Sequence, residues 1–408
     1  MSRATAPLRP EHRLALACAC DCDPSIAAAA AAEIPDADWP AAVRLLDHHF
    51  LAPVVLSRLT GSGGDALPAP RRGPLSEAVA RRRKRALLLQ ATMGTLHDDH
   101  LGPLGVRYAM LKGLALGARY YAHPGLRVAR DIDVLVDRTD LEPVLRSLFA
   151  AGYRLLNRLQ VANSRRPAVD DALAMAHLSK ELALMSPHGA CVEIHHRVDP
   201  TGTAFPTAGL LARTETIEIG NRAWPVLSTT DLFAYICAHH AGHRWSRLHW
   251  VLDLSMMRRH PSFDADAVLG RATAAGVRRV VEAAMDLPEA LAAMVREAAP
   301  SDRPRGLNAA FVAGCIAHLD PQDAPERAAR RARGGALLAQ AAGGIRYQMR
   351  LRDGWPARLG TLAAMTGPRI ADYQALPLPP RLHPLYRIIR PVRLAARTVA
   401  RRLGRPGR

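Results

Sequence analysis

The run Asp131-Ile132-Asp133-Val134-Leu135-Val136 constrains the fold of this chain more than any other segment. Carboxylates alternate with aliphatic residues in it, which predicts a β-strand with both aspartates on one face and Ile132 on the other. Two like charges on one face of a strand are unfavourable unless a cation lies between them. A divalent metal is the simplest such cation, so the run predicts a metal site on a sheet.

A second segment supplies what a metal site that handles phosphates also requires. Leu111-Lys112-Gly113 ends a predicted strand at residues 106–111 and begins a short predicted helix at residues 113–121. A glycine at such a turn lets backbone amides approach a phosphate closely, and Lys112 adds a positive charge. The alternatives are that Gly113 only begins a helix and that Lys112 is solvated.

The third carboxylate that we expect at the metal is Glu193, within Cys191-Val192-Glu193-Ile194-His195-His196. This segment alternates in the same way and follows a turn at residues 187–189, which predicts the second strand of a hairpin. Three carboxylates on neighbouring strands can hold two Mg²⁺ ions, or Mn²⁺, around a polyphosphate. Glu193 is also a candidate base for an attacking hydroxyl.

Two arginines shortly before the aspartates are candidates for phosphate binding. A guanidinium binds a phosphate through two parallel hydrogen bonds, and Arg127 and Arg130 are both placed for this. The alternative for Arg127 is an ion pair with Asp131.

Histidines near these segments have a less specific meaning. His195 shares the predicted face of Glu193, and His177 and Lys180 precede the hairpin, so all three are candidates to support the metal ligands or to contact the acceptor. His239 and His243 are four residues apart, a spacing that can bind a metal on a continuous helix. This leaves a metal-dependent hydrolase as an alternative, although the absence of a His-Glu-x-x-His pattern favours packing between two helices.

The net charge of +18 is unevenly distributed, since nine arginines and no acidic residue lie between positions 381 and 408. A basic, amphipathic tail of this kind is a solvated or packed helix, or makes weak contact with an anionic surface such as a membrane or RNA. No apolar run approaches the roughly 20 residues of a membrane span. We therefore expect a cytoplasmic protein with reduced cysteines.

The pattern along the chain predicts an α+β protein, with a small mixed sheet, flanking helices and a mostly helical C-terminal half. Helices are expected from Trp39 through Val54 and from about Ser76 to His100, hairpins at 181–198 and 217–227, and an extended linker at 377–384. The predicted segments are a helical region at 1–103, an α/β domain at 104–227, a helical domain at 228–376 and a basic tail at 377–408.

These motifs resemble those of a known superfamily. Leu-Lys-Gly, Arg127 and Asp-Ile-Asp-Val-Leu-Val are similar to motifs of the nucleotidyltransferases of the DNA polymerase beta superfamily. More narrowly, the chain resembles an uncharacterised bacterial nucleotidyltransferase family that carries this Leu-Lys-Gly. The similarity continues through Val-Glu-Ile-His, through residues 239–253, and near Leu376-Pro377 and Leu385-Tyr386-Arg387. Leu114 stands where the wider superfamily usually has serine or glycine.

The resemblance implies a nucleotidyltransferase sheet at 104–227 and metal-dependent transfer of a nucleotidyl group from a nucleoside triphosphate, with release of pyrophosphate. Asp131, Asp133 and Glu193 would hold Mg²⁺. Lys112, Gly113 and Leu114, with Arg127 and Arg130, would bind the nucleotide. ATP is the expected donor because of its abundance.

The acceptor is left open between a peptide or protein, a small metabolite and RNA. A non-catalytic nucleotide- or nucleic-acid-binding module on the same fold is the other alternative. The intact set of three carboxylates argues against it.

Overall fold

The computed structural model describes residues 8–61, 67–156, 167–296, 304–320 and 336–393. Its centre is a mixed sheet of short strands, as the alternating segments predict. The strands described are β1 (Tyr108–Met110), β2 (Ile132–Val136), β3 (Arg154–Leu155), β4 (Glu181–Met185), β5 (Cys191–His195), β6 (Thr214–Ile219) and β7 (Arg222–Leu227).

Strand β2 lies in the middle of the sheet, whose order is β3-β4-β5-β2-β1-β7-β6. It pairs antiparallel with β1 and parallel with β5. The predicted hairpins are confirmed as the antiparallel pairs β4–β5 and β6–β7. The parallel register sets Asp133 of β2 directly opposite Glu193 of β5. This register fixes the relation between the two acidic segments.

Helices surround the sheet and form the rest of the described chain, which confirms the α+β class. Those before and within the sheet region are α1 (Pro10–Ala19), α2 (Pro24–Ala32), α3 (Trp39–His48), α4 (Ala52–Thr60), α5 (Ala69–Thr95), α6 (Leu114–Tyr120), α7 (Leu141–Ala150), α8 (Ala168–Ala176) and α9 (Thr207–Leu211). A π-helical turn (Leu96–Leu101) and a 3-10 turn (Pro124–Leu126) also occur.

The helices after the sheet are α10 (Thr229–Gly242), α11 (His249–Arg259), α12 (Ala265–Ala274), α13 (Arg278–Met285), α14 (Leu287–Val295), α15 (Gly306–Ala317), α16 (Ala336–Arg350), α17 (Trp355–Thr366) and α18 (Ile370–Ala375). A 3-10 segment (Pro380–Leu385) leads into helical residues 386–393. No helix in the described ranges is long and apolar enough to span a membrane.

Three local predictions were wrong. The helix expected from Trp39 through Val54 divides at Phe50, whose φ is +59°, because this left-handed residue cannot continue a right-handed helix. Helix α5 begins at Ala69 rather than near Ser76. Its first turn is held by Arg71, whose guanidinium donates hydrogen bonds to the carbonyl oxygens of Ala31 and Ile34.

The third error concerns residues 377–384, which are not an extended linker. They turn into the 3-10 segment because the Tyr386 hydroxyl donates to the Leu376 carbonyl (2.6 Å) and accepts from the Leu378 amide (3.0 Å). Most of the predicted basic helix of the tail lies at 394–408, outside the described residues.

The two faces of β2 belong to different parts of the core. Ile132, Val134 and Val136 pack into a cluster with α7, α8 and the neighbouring strands. Leu135 faces the other cluster, which includes α10 and α11. Since residues alternate along a strand, Asp133 faces the helical half of the protein. The site therefore lies between the sheet and these helices.

A buried ion pair joins the helical half to the sheet. Asp253 of α11 is fully buried, and its carboxylate accepts hydrogen bonds from Arg127 Nε (3.0 Å) and Nη2 (2.8 Å). The Tyr121 hydroxyl donates a third at 2.7 Å. Arg127 lies just before β2, so this pair fixes where the strand begins relative to α11.

We expect Asp253→Ala to lower the free energy of unfolding by about 3–5 kcal/mol, because it leaves Arg127 buried without its counter-ion. Chemical denaturation monitored by circular dichroism measures the change. Asp266→Ala, which removes an exposed acidic side chain of α12, is the matched control. A loss for Asp253→Ala no greater than that of the control would contradict the role of the pair.

Candidate functional site

The parallel pairing of β2 and β5 brings three possible metal ligands together. Ligand atoms of Asp133, Glu193 and His195 all lie within 4.8 Å of one another. His195 Nε2 is 3.0 Å from Asp133 Oδ1 and 3.4 Å from Glu193 Oε2. The sequence placed Glu193 beside the aspartates and His195 on the face of Glu193, and the structure brings them together.

Asp131 lies immediately before β2 and interacts electrostatically with the same cluster. Burial, together with the charges of Asp133 and Glu193, raises the pKa of Asp131 to about 6. A carboxyl group whose pKa is raised by neighbouring carboxylates gains most from a nearby cation. Asp131 is therefore available to a metal although it is not one of the three clustered ligands.

Lys112 is the internal counter-ion of this cluster. Its Nζ lies 2.9 Å from Asp133 Oδ1, and Asp133 is only 3% exposed. Burial alone would raise the pKa of Asp133, but Lys112 and His195 hold it well below its usual range. Burial likewise opposes the charge of Lys112, but the Asp133 carboxylate outweighs it and the pKa of Lys112 is raised. The alternative of a solvated Lys112 is therefore wrong.

Gly113 forms the turn between β1 and α6, and no other residue type suits it. Its φ is +65°, and a Cβ added there would lie 3.3 Å from the Cβ of Ala129 and 3.5 Å from the carbonyl oxygen of Asp131. Leu114 follows as the first residue of α6. The close approach holds the start of α6 beside the chain that carries Asp131.

The two candidate arginines differ. Arg127 is buried, and its donors are taken by Asp253 and by the Val128 carbonyl oxygen at 2.6 Å. It pairs with Asp253 and not with Asp131, the partner that the sequence left open. Arg130 is exposed and acts electrostatically on Asp131. Of the two, Arg130 is the one that can meet a ligand.

Sequence reasoning missed two further arginines at this rim. Arg85 donates a hydrogen bond to the Arg130 carbonyl oxygen at 3.2 Å. The pKa of Arg247 is lowered mainly by burial and also by the charge of Arg130, which shows that the two side chains are close. Arg85 ends the basic run Arg81-Arg82-Arg83-Lys84-Arg85, but the run by itself does not reveal which side chain approaches the site. The rim beside Asp131 is therefore strongly cationic.

On the opposite side, Glu181 and Lys180 adjoin the cluster. Glu181 opens β4 opposite His195, and its Oε2 lies 3.3 Å from His195 Nδ1. Lys180 pairs with Glu181. Lys180 was a candidate from the sequence, whereas Glu181 was missed although the register of the predicted hairpin pointed to it. His177 lies one turn earlier, exposed, beside a cavity described below.

His239 near the end of α10 and His243 just after it bring their rings close together, with centroids 4.7 Å apart and the planes tilted by 55°. Burial and the charge of Lys112 hold the pKa of His239 well below its usual range. Within the described ranges, the group of three possible metal ligands is Asp133, Glu193 and His195, to which neither histidine belongs. The geometry gives the hydrolase alternative no support.

The donor set of the cluster fits a divalent metal. Two carboxylates and an imidazole converge within 4.8 Å, and Asp131 adds a third carboxylate nearby. Carboxylate oxygens suit Mg²⁺ and Mn²⁺, and an imidazole nitrogen shifts the balance towards Mn²⁺. Lys112 and His195 compete with a cation for Asp133, so metal binding requires these contacts to loosen.

We expect the affinity for Mn²⁺ to rise as pH increases through 6, because protonated Asp131 cannot bind a cation. At pH 5 the affinity should be about tenfold lower than at pH 7.5. Titration calorimetry at both values measures this. Asp131→Asn should bind Mn²⁺ more weakly and lose the part of the pH dependence that comes from Asp131. Although burial lowers the pKa of His195, its hydrogen bonds to Asp133 and Glu193 raise that pKa overall, so the protonation of His195 contributes the rest. Equal wild-type affinities at the two pH values would refute the role of Asp131.

Comparison with known proteins places these residues in a family. The model of a family described as uncharacterised nucleotidyltransferases matches residues 35–293, more than half of the chain. The match includes the Lys112–Gly113 turn, the β2 carboxylates and Glu193. A search of curated proteins finds no match. The fold, the acidic cluster and this match agree, and the chain belongs to the uncharacterised nucleotidyltransferase family.

Proposed function

We propose that this protein transfers a nucleoside monophosphate from a nucleoside triphosphate to a hydroxyl group of an acceptor and releases pyrophosphate. The observation that supports this most is the register of β2 and β5, which sets Asp133 opposite Glu193 in a buried cluster. Lys112 and His195 offset part of the negative charge of this pair, and a divalent cation bound between the carboxylates would offset the rest. Membership of a nucleotidyltransferase family supports the same reaction.

In this proposal Asp131, Asp133 and Glu193 hold Mg²⁺ or Mn²⁺, and His195 orients Asp133 through its Nε2 contact. A bound divalent cation polarises the α-phosphoryl group and neutralises charge on the departing pyrophosphate. The protein contributes by fixing the carboxylates, since the β2–β5 pairing leaves them little freedom to separate.

The triphosphate binds on the side of the site that carries Lys112, Gly113, Leu114 and Arg130. The glycine turn lets backbone amides approach the phosphates, and exposed Arg130 supplies a guanidinium without a buried carboxylate partner to release. Arg127 contributes indirectly, by holding the start of β2 against α11. ATP is the expected donor because of its abundance.

The acceptor enters from the side of Glu193. Its hydroxyl oxygen forms a bond to the α-phosphorus, while the bond from that phosphorus to the oxygen bridging to the β-phosphate breaks. Pyrophosphate leaves with that electron pair, and the hydroxyl proton passes to the Glu193 carboxylate. Glu193 is about a quarter exposed at its side chain, so it can meet an incoming hydroxyl.

We expect Asp131→Asn combined with Asp133→Asn to reduce nucleotidyl transfer at least about 100-fold, because the metal that stabilises the transition state is lost. The measurement uses α-labelled nucleoside triphosphates with Mg²⁺ or Mn²⁺ and follows label transfer and pyrophosphate release. Glu218→Gln, an exposed acidic position of β6, is the matched control. Transfer that persists in the double variant at the control's rate would reject the site.

We also expect ATP to bind only weakly when divalent cations are removed with a chelator, because carboxylates without a cation repel a triphosphate. Titration calorimetry with and without Mg²⁺ measures the difference. Binding that is indifferent to the cation would instead favour a non-catalytic binding module.

A further inference from the structure

Two adjoining cavities lie beyond the catalytic cluster. The larger, of about 940 Å³, lies between the β4–β5 hairpin, α10 and the C-terminal segments from α16 onward, and reaches the cluster at Lys180, Glu181 and Tyr235. The smaller, of about 240 Å³, is lined by Arg138, Ala176, His177, His196 and Arg197. Both cavities are lined by His177 and Arg197, so they adjoin each other.

The smaller cavity concentrates basic groups. Two arginines and two histidines line it, and the described residues that line it include no carboxylate. Burial and the neighbouring charge of Arg197 lower the pKa of Arg138. Burial and both arginines lower the pKa of His196 to about 3. The positive charges of these side chains repel one another, and a bound anion would reduce that repulsion.

Several nitrogen atoms at this cavity are buried without a hydrogen-bond partner among the described residues. They are Arg138 Nη1, Arg197 Nε and His196 Nδ1, and His196 is only 3% exposed. A buried polar group without a hydrogen-bond partner destabilises the folded protein. Guanidinium groups match the oxygens of phosphate closely, and an anion bound between them would supply the missing partners.

The carboxylate that acts on Arg197 has other partners as well. Asp199 lines the larger cavity and acts electrostatically on Arg197, but its Oδ1 accepts hydrogen bonds from the amides of Thr201 (3.0 Å) and Gly202 (3.1 Å). It also lies 3.7 Å from Arg352. Asp199 therefore offsets the charge of Arg197 only in part, and burial still lowers the pKa of Arg197.

A second unpartnered group marks the catalytic end of the larger cavity. The hydroxyl of Tyr235, a residue only 1% exposed, has no hydrogen-bond partner among the described residues. It lines the cavity and interacts electrostatically with Lys112, Lys180 and Asp133. A ligand that reaches the carboxylates through this cavity passes the Tyr235 hydroxyl.

Strand geometry limits the distance between the basic groups of the smaller cavity and the carboxylate of Glu193. Arg197 follows Glu193 by four residues and lies two residues beyond the end of β5, and four residues of extended chain span at most about 13 Å. Arg138 follows the C-terminal end of β2, and β2 and β5 run parallel, so both arginines lie beyond the same ends of adjacent strands. One small molecule can therefore touch the basic cavity and the carboxylates together.

We propose that the acceptor is a small organic phosphate, whose phosphate group binds between Arg138, His196 and Arg197 while its hydroxyl lies at Glu193 beside Tyr235. This inference rests on the proposed function and names the substrate class of that site. The transferred nucleotidyl group becomes attached to the hydroxyl end, by the displacement given above, and the phosphate end remains unchanged.

The test uses inorganic phosphate and a series of ω-hydroxyalkyl phosphates of increasing chain length as probes of the full-length protein. Titration calorimetry should show binding of both, and Arg138→Gln should weaken it at least about tenfold because a charge-assisted hydrogen bond is lost. Arg154→Gln, at an exposed position of β3, is the matched control and should bind like wild type. Equal binding by Arg138→Gln and the control would overturn the proposal.

Tyr235→Phe provides a second variant of nearly unchanged shape. It should weaken binding of the hydroxyalkyl phosphates several-fold and leave binding of inorganic phosphate unchanged, because only the longer probes reach the hydroxyl. A decrease for inorganic phosphate alone would contradict the assigned orientation.

Two further sets of probes test whether the acceptor is a phosphate. ω-Hydroxyalkanoates carry a carboxylate and alkanediols carry no charge; binding of either as tight as that of the phosphates would overturn the assignment. Phosphate binding by the Asp131→Asn/Asp133→Asn variant should persist, because the basic cavity lies apart from these carboxylates. If the wild-type protein binds the phosphates but transfers no nucleotidyl group to any probe, the proposed function alone is rejected. Label transfer to diols as fast as to hydroxyalkyl phosphates rejects the inference alone.

Discussion

The parallel pairing of β2 with β5 forces two carboxylates to face each other in a mostly buried position, and the surrounding residues respond to that constraint. Asp133 is almost completely buried and has Glu193 directly opposite. Burying a carboxylate without compensation costs several kcal/mol. Lys112 and His195 supply the compensation from inside the protein. The site thus carries its own positive charges, which a metal must displace or accompany.

A second buried charge pair joins the sheet to the helical half. The fully buried carboxylate of Asp253 in α11 binds Arg127 and Tyr121 on the chain that leads to β2. An arginine that the motif suggested as a nucleotide ligand is therefore the residue that positions the strand.

The local sequence pattern predicted the central strands well, but it could not predict contacts between residues that are far apart in the chain. Alternation predicted β2 and the β4–β5 hairpin, and so placed Glu193 beside Asp133. The partner of Arg127, by contrast, lies 126 residues away, and no spacing rule reaches that far. The cluster of Arg138, His196 and Arg197 is similar: the first residue follows one strand and the others follow another, so only the sheet order reveals that they meet. The division of the Trp39 helix depends on one left-handed residue, Phe50, which propensity does not favour.

The C-terminal wall of the larger cavity comes from residues 348–387, whereas the family match ends at residue 293. The carboxylates and the Gly113 turn thus come from one part of the chain, and the C-terminal wall of the cavity comes from another. If the cavity binds the acceptor, changes in the sequence of this C-terminal wall would change which acceptor molecule is bound. The catalytic residues would need no change, so relatives that share this reaction need not share its target.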